Sequence, residues 1–372
     1  MVFAFDIIDF ICELLMIEQF LNASSIDQLE TFKSSFSNNK PFKHLVIDDF
    51  LLADVAENML KEFPGFDDKL AMNENGEVGR KAVHEKVSGI GPTYKKIDEL
   101  AKSKEFLAWV EQMTGINGLI YDPYYFGGGT HNNLSGQDLD PHVDFTHHPM
   151  SGHHRRLNLI VYLNKEWDRS WGGNIEFHKN PRLQPEQDEI ISVEPIFNRA
   201  VIFETNNISW HGFPRIDLPD EKKGLSRKSF ALYYYTHQRD QPVKPHSTIY
   251  VERHLPERYH AGMKLTESDL QEMKTLLARR DQHLERLYNN ITHLMTETTD
   301  LKFNLNQALQ QSKGLRNQME NTGMTERDSI PLQSVDYNHV NLVSRIHELE
   351  NSTSWKITAP LRLFKSLITK RK

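Results

Sequence analysis

The chain has one cysteine, Cys12, among 372 residues. That excludes an intrachain disulfide framework, fits a reducing, cytoplasmic setting, and leaves histidine and carboxylate as the side chains from which a metal site is to be built. Basic excess is also lacking. The 44 lysines and arginines face 51 acids, for a formal charge of −7, so no nucleic acid partner is expected. No long apolar run is free of charge. Residues 1–21 are apolar but carry Asp6, Asp9, Glu13 and Glu18, without a basic start or a small-residue cleavage site. This speaks against a signal peptide or membrane span and for an amphipathic helix. Met16 competes with Met1 as the start of translation, because the stretch before it adds no motif.

The pattern that is present changes along the chain. Residues 1–39 read as an N-terminal helical segment. PFKHLVIDDFLLADVAENMLKEF, residues 41–63, reads as a strand and then a helix with apolar residues at helical spacing. Ile120–Phe126, Leu157–Leu163, Asn174–His178, Arg199–Glu204 and Ser229–Thr236 are short β-branched or aromatic runs, divided by Gly, Asn, Asp and Pro clusters. No helical pattern lies between them, which disfavours parallel βαβ units. The expectation is a mainly β catalytic domain over residues 40–252, an antiparallel barrel or jelly roll with flanking helices.

Over residues 265–320, Leu270, Met273, Leu277, Leu284, Leu287, Ile291, Leu294, Leu301, Leu305, Ala308, Leu315 and Met319 fall on alternating steps of three and four. Arg280, Thr298 and Ser312 are the misfits. A proline-free heptad run of this kind implies a coiled coil and a homo-oligomer, a parallel dimer by default; a long helix folded on the catalytic domain is the plainer alternative. Residues 321–339 read as a polar linker and 340–372 as a short helix with a basic amphipathic tail. That tail suits peripheral contact with an anionic membrane surface, and equally a solvated or partner-bound helix end.

Two short segments carry the chemistry, Pro141-His142-Val143-Asp144 and Ser209-Trp210-His211-Gly212. Residues two apart in a strand share a face, so His142 and Asp144 can reach one ion, with His211 arriving from a later strand. Two histidines and a carboxylate form the facial triad that binds non-haem Fe(II) and leaves positions open for cosubstrate and oxygen. Arg227, sixteen positions after His211, opens an apolar strand; its planar fork suits a carboxylate, and a surface charge at a strand start is the alternative. Alternation places Arg227, Ser229, Ala231 and Tyr233 on one face, and Asn158, Ile160 and Tyr162 on one face of their own strand. If both faces look inward, a guanidinium, hydroxyls and an amide line a pocket beside the metal.

Six segments in order, PFKHLVIDDFL, YDPYYFGGGTH, PHVDF, RRLNLIVYLNKEWDRSWGGNIEF, EPIFNRAVIFETNNISWHGFP and SRKSFALYYYT, resemble the Fe(II)/2-oxoglutarate dioxygenases of the prolyl 4-hydroxylase type. That group includes the hypoxia-sensing and the ribosomal prolyl hydroxylases. The resemblance covers roughly residues 40–240 and implies a double-stranded β-helix. It implies His142, Asp144 and His211 as iron ligands, with Arg227 and Tyr162 on the distal carboxylate of 2-oxoglutarate; alternation adds Ser229 and Asn158 as cosubstrate-binding candidates beside them. It implies Fe(II), 2-oxoglutarate and O2 as cofactors, ascorbate as an accessory, and a peptidyl or free proline as substrate. Two departures stand out: the turn at Gly127–His131 with the insertion before His142, which leaves the roles of Tyr124 and Tyr125 open, and a long His211–Arg227 interval filled by IDLPDEKKGL.

Other readings remain open. ELENSTSWKITAPLR resembles the endings of many bacterial glycosyltransferases and surface-polysaccharide proteins, which implies a sugar or glycan as target. A non-catalytic metal-binding scaffold assembled through its coiled coil, and a zinc or other metal sugar-binding module, would use the same ligands without needing Arg227. His147, His148, His153 and His154 offer a second metal site, against the plainer expectation of a solvated loop rim. His131 and His178 are candidates to touch substrate, and neither lies in a ligand position. Trp171-Gly172-Gly173 reads as a turn, and Glu176 as structural.

Overall fold

The computed structural model describes residues 16–71, 81–240, 243–253, 255 and 258–322. The expected N-terminal helix before residue 16, the 321–339 linker beyond Thr322 and the C-terminal tail lie outside these residues. Compact structure divides into two units that meet at Tyr259–His260.

The first unit is mainly antiparallel β-structure in two sheets, as a jelly-roll oxygenase core requires. The larger sheet runs in the order β1-β9-β6-β11-β4-β2, with β3 also paired to β11. These are β1 (His44–Ile47), β2 (Lys81–His84), β3 (Ile120–Tyr121), β4 (Gly129–Asn133), β6 (His154–Tyr162), β9 (Ala200–Glu204) and β11 (Arg227–Thr236). The smaller sheet runs β12-β5-β10-β7-β8. Its strands are β5 (Leu139–Val143), β7 (Ile175–His178), β8 (Ile190–Val193), β10 (Trp210–Phe213) and β12 (Ile249–Tyr250).

Period-two alternation in β6 and β11 separates core from cavity. One face puts Leu157, Leu159, Val161, Phe230, Leu232 and Tyr234 into the main hydrophobic core. Five helices bear on that core: α1 (Ala23–Asp27), α2 (Leu29–Asn38), α3 (Ala53–Glu62), α4 (Pro92–Ala101) and α5 (Lys104–Thr114). Helical spacing buries Val55, Ala56 and Met59 of α3, and Phe106, Trp109, Val110 and Met113 of α5. The Ser103 hydroxyl caps α5 by accepting from the Phe106 amide at 3.2 Å. Truncating a core residue such as Leu159 to Ala costs about 2–5 kcal/mol. The other face of the same strands looks into the space between the sheets.

The expected strands at 157–163, 174–178, 199–204 and 229–236 form within one to three residues of their sequence bounds. The expected strand at 120–126 is shorter, because Asp122 folds its tail into a turn by accepting from the Tyr124 and Phe126 amides.

The second unit is dominated by α6 (Glu267–Thr322), which carries the heptad pattern. Leu270, Leu277, Leu284 and Leu287 are all exposed in the single chain. Among the described residues no helix is long and apolar enough to cross a membrane.

Candidate active site

The smaller sheet supplies the triad. β5 and β10 are antiparallel neighbours, and His142 lies directly opposite His211 in their register. The close approach depends on Gly212: a Cβ there would lie 2.5 Å from the Leu139 carbonyl oxygen, inside contact distance. The imidazole centroids are 4.2 Å apart. Asp144 follows β5 and turns its carboxylate between them, with Oδ1 3.8 Å from His142 Nε2 and Oδ2 3.7 Å from His211 Nε2. One ligand atom from each of the three lies within 4.8 Å of the others.

Hydrogen bonding fixes which imidazole nitrogens face inward. Nδ1 of His142 donates to the Asp140 carbonyl and Nδ1 of His211 to that of Ser209, both at 2.9 Å. A carbonyl only accepts, so the proton sits on Nδ1 and the Nε2 lone pair points at Asp144, the tautomer a metal needs. Burial favours the neutral rings. It pushes His142 down to about 3, helped by His211, and lowers His211 in the same direction. Burial works against the Asp144 carboxylate, but the Arg155 guanidinium, the two histidines and Asn158 outweigh it and hold its pKa well below the usual range. Two neutral imidazoles and an ionised carboxylate on one face fit Fe(II).

The larger sheet supplies the opposite wall, and both line one cavity of about 210 Å³. Arg227, Tyr162 and Ser229 are all buried there, with Ser229 opposite Tyr162 in register. Arg227 Nε donates to the Gly173 carbonyl at 2.6 Å and Nη2 to the Tyr162 hydroxyl at 3.1 Å. Gly173, at φ +72°, carries this contact on the turn read from Trp171-Gly172-Gly173. The Tyr162 oxygen accepts from Arg227, so its own hydrogen is available to another acceptor. Among the described residues Arg227 has no carboxylate partner, and the surface-charge alternative for it is excluded by its burial.

Asn158 is in the cavity, where its amide bonds two neighbouring side chains. Its Nδ2 donates to Asp144 Oδ2 at 2.8 Å, and its Oδ1 accepts from Arg155 at 2.9 and 3.1 Å. Its hydrogen-bond partners are thus Asp144 and Arg155. Arg155 was not singled out in the sequence. It is buried, 3.2 Å from Asp144 Oδ2, and its guanidinium is stacked 3.7 Å from the Tyr233 ring and 4.4 Å from that of Phe145. Asp144 Oδ2 is thus held from two sides.

The remaining histidines separate. The His147 and His154 rings meet at a tilt, 4.3 Å apart, and His153 and His237 edge-on at 4.5 Å, and among the described residues no carboxylate joins either pair. Among the described residues the triad is the one group of three converging metal-binding side chains. His148 departs from the expected solvated rim: it is 2% exposed and packs 3.3 Å from Asp122, because Asp122 closes the turn beneath it. His131 lines the cavity, whereas His178 bonds Asp188 at 2.8 Å outside it. Glu176 pairs with Arg253 at 3.2 Å, a structural contact.

Residues 129–235 match the 2OG-Fe(II) oxygenase superfamily. The chain is 26% identical over 233 residues to the mouse protein named prolyl 3-hydroxylase OGFOD1, across 59% of this chain and 36% of that one. It thus spans little more than a third of that relative. Among solved structures, the fold is similar to a prolyl hydroxylase of Trichoplax adhaerens in complex with a hypoxia inducible factor peptide fragment, at TM-score 0.38 and 14% identity, covering 57% of this chain and 93% of that one. It is also similar to a prolyl 4-hydroxylase of Phytophthora capsici, at TM-score 0.39 and 17% identity, with 95% of each chain covered. The chain carries a 2OG-Fe(II) oxygenase domain, the domain of a dioxygenase. Fe(II), 2-oxoglutarate and O2 are the cofactor set of that family.

Proposed function

We propose that the protein is a hydroxylase of an unactivated C–H bond, with a prolyl residue or proline-like molecule as its target. The observation that carries the reaction is the His142–Asp144–His211 convergence in one cavity with a buried guanidinium that has no carboxylate partner among the described residues. The proline target rests on the name of the mouse relative and on the sequence resemblance, not on the cavity itself.

His142 and His211 would hold iron through Nε2 and Asp144 through a carboxylate oxygen. With the cofactors bound, 2-oxoglutarate, O2 and the C–H substrate give succinate, CO2 and the hydroxylated product, one oxygen atom entering each organic product. The chain binds, orients and excludes water. Arg227 presents its fork to the distal carboxylate of 2-oxoglutarate, and Tyr162 donates its free hydrogen to the same group. Ser229 stands beside them. Arg155 and Asn158 draw on Oδ2 of Asp144, which would leave Oδ1 to ligate the metal. The Phe145 and Tyr233 rings pack on the Arg155 guanidinium and shield it from water.

The exposed heptad leucines of α6 support assembly with a second copy, which removes them from water. Incubation with free proline, with proline peptides and with nucleotide sugars, while succinate release is followed, tests the substrate. Stimulation by a proline compound, free or peptidyl, is expected. Stimulation by a nucleotide sugar alone would transfer the reading to a glycan target, which otherwise rests on the C-terminal tail's resemblance.

A further inference from the structure

The cavity holds a third cation, which the reaction above does not use. Lys81 opens β2 at the edge of the larger sheet, and the register runs Lys81–Asn133–Arg227 across β2, β4 and β11. Residues level in neighbouring antiparallel strands point to the same side, and all three line the cavity with the triad. Among the described residues Lys81 has no carboxylate within ion-pairing distance. Burial pulls its ammonium down to about 8, and the nearby Arg227 guanidinium adds to this while the Asp144 carboxylate opposes it.

Strand order separates Lys81 from the cosubstrate anchor. Tyr162 stands on β6, one strand to one side of Arg227, and Lys81 on β2, two strands to the other. At about 4.8 Å per strand, the two Cα positions are roughly 14 Å apart across the sheet. A carboxylate shared by Arg227 and Tyr162 therefore lies on the side away from Lys81. Charge counting agrees. Asp144 and Arg155 cancel, Fe(II) and the 2-oxoglutarate dianion cancel, and Arg227 and Lys81 together leave the loaded cavity positive.

We propose that Lys81 holds an anionic group of the substrate, a carboxylate or a phosphate, and so selects a molecule that carries its anion close to the C–H bond to be oxidised. This rests on the dioxygenase reading and narrows its substrate class: the carboxylate of a free imino acid meets the requirement, and so does a phosphorylated molecule, whereas a neutral peptide segment or sugar does not.

The test uses the full chain with Fe(II) and 2-oxoglutarate under anaerobic conditions. Acetate, L-proline, L-prolinamide and inorganic phosphate are titrated into wild type, Lys81→Met and Lys81→Arg, with calorimetry and the visible absorption of the complex as readouts. At least one anion should bind to wild type, with L-prolinamide weaker than L-proline if the carboxylate is the source and phosphate strongest if it is not. Lys81→Met should weaken that anion about tenfold more than it weakens 2-oxoglutarate, and Lys81→Arg should restore much of the loss. No anion binding to wild type overturns the proposal. So does a Lys81→Met effect that falls equally on 2-oxoglutarate, since Lys81 would then belong to the cosubstrate. Failure of wild type to bind 2-oxoglutarate would instead sink the dioxygenase reading, a separate result.

Discussion

Arg155 and Arg227 are both buried in the same cavity, yet only Arg155 has a carboxylate, 3.2 Å away in Asp144. Arg227 has a carbonyl, a phenol and aromatic faces: Gly173, Tyr162 and the Phe213 ring at 4.3 Å. A buried guanidinium cannot shed its proton, so it needs a counter-charge. Arg155 finds it within the chain and thereby orients a metal ligand. Arg227 is held open for one that arrives with a ligand. The same residue type serves a built-in ion pair in one wall and a binding site in the other.

The largest effect should come from the carboxylate itself. Asp144→Ala removes the counter-charge of Arg155 and a metal ligand together, and conversion of 2-oxoglutarate to succinate should fall by at least about 10²–10³-fold. Turnover near wild type in that variant would show that the triad is not the metal site. Next comes Arg227→Met. Loss of one partner of a buried charge pair costs about 2–5 kcal/mol, so the KM for 2-oxoglutarate should rise by about 30-fold or more with iron affinity largely kept. Arg155→Met should show the converse, an iron affinity about 10–100-fold weaker with a smaller change toward 2-oxoglutarate. Equal effects of the two substitutions on both ligands would erase the distinction between them.

A smaller effect concerns acid. His142 takes its proton near pH 6.5 when unfolded but only at about 3 in the fold, because burial and His211 oppose the charge. The unfolded chain therefore binds more protons across this window. The stability contribution is full above about 6.5 and is lost as pH falls toward 3. Thermal unfolding of the metal-free protein should follow that slope, and His142→Gln should flatten it. An unchanged slope would place the acid sensitivity elsewhere.

How much of this was legible depends on how regularly the backbone repeats. His142, Asp144, Tyr162, Ser229 and Arg227 sit in runs where alternation holds, and the structure brings all five into one cavity. Arg155 was hidden by a bulge. Tyr233 pairs with Asn158 and Tyr234 with Leu157, but Tyr235 pairs with Arg155, so Arg156 is the extra residue. Counting back by twos from Asn158 would have aimed Arg156 inward; the extra residue reverses the phase and Arg155 enters instead. β10 was expected only as the strand that brings His211, and its bounds were not read, because its Trp-His-Gly-Phe sequence holds a glycine that reads as a breaker, while the fold uses it for close approach to β5. Lys81 gave no signal, since its place in the cavity depends on β2 joining a sheet edge far along the chain.

The central claim is that the triad and Arg227 serve one complex. Anaerobic titration of Fe(II) and 2-oxoglutarate, followed by the visible charge-transfer band, tests it most directly. A band that requires both additions and saturates at one iron per chain is expected, lost in His211→Ala and shifted to much higher 2-oxoglutarate in Arg227→Met. No band in the wild-type protein, or a band indifferent to Arg227, would contradict it.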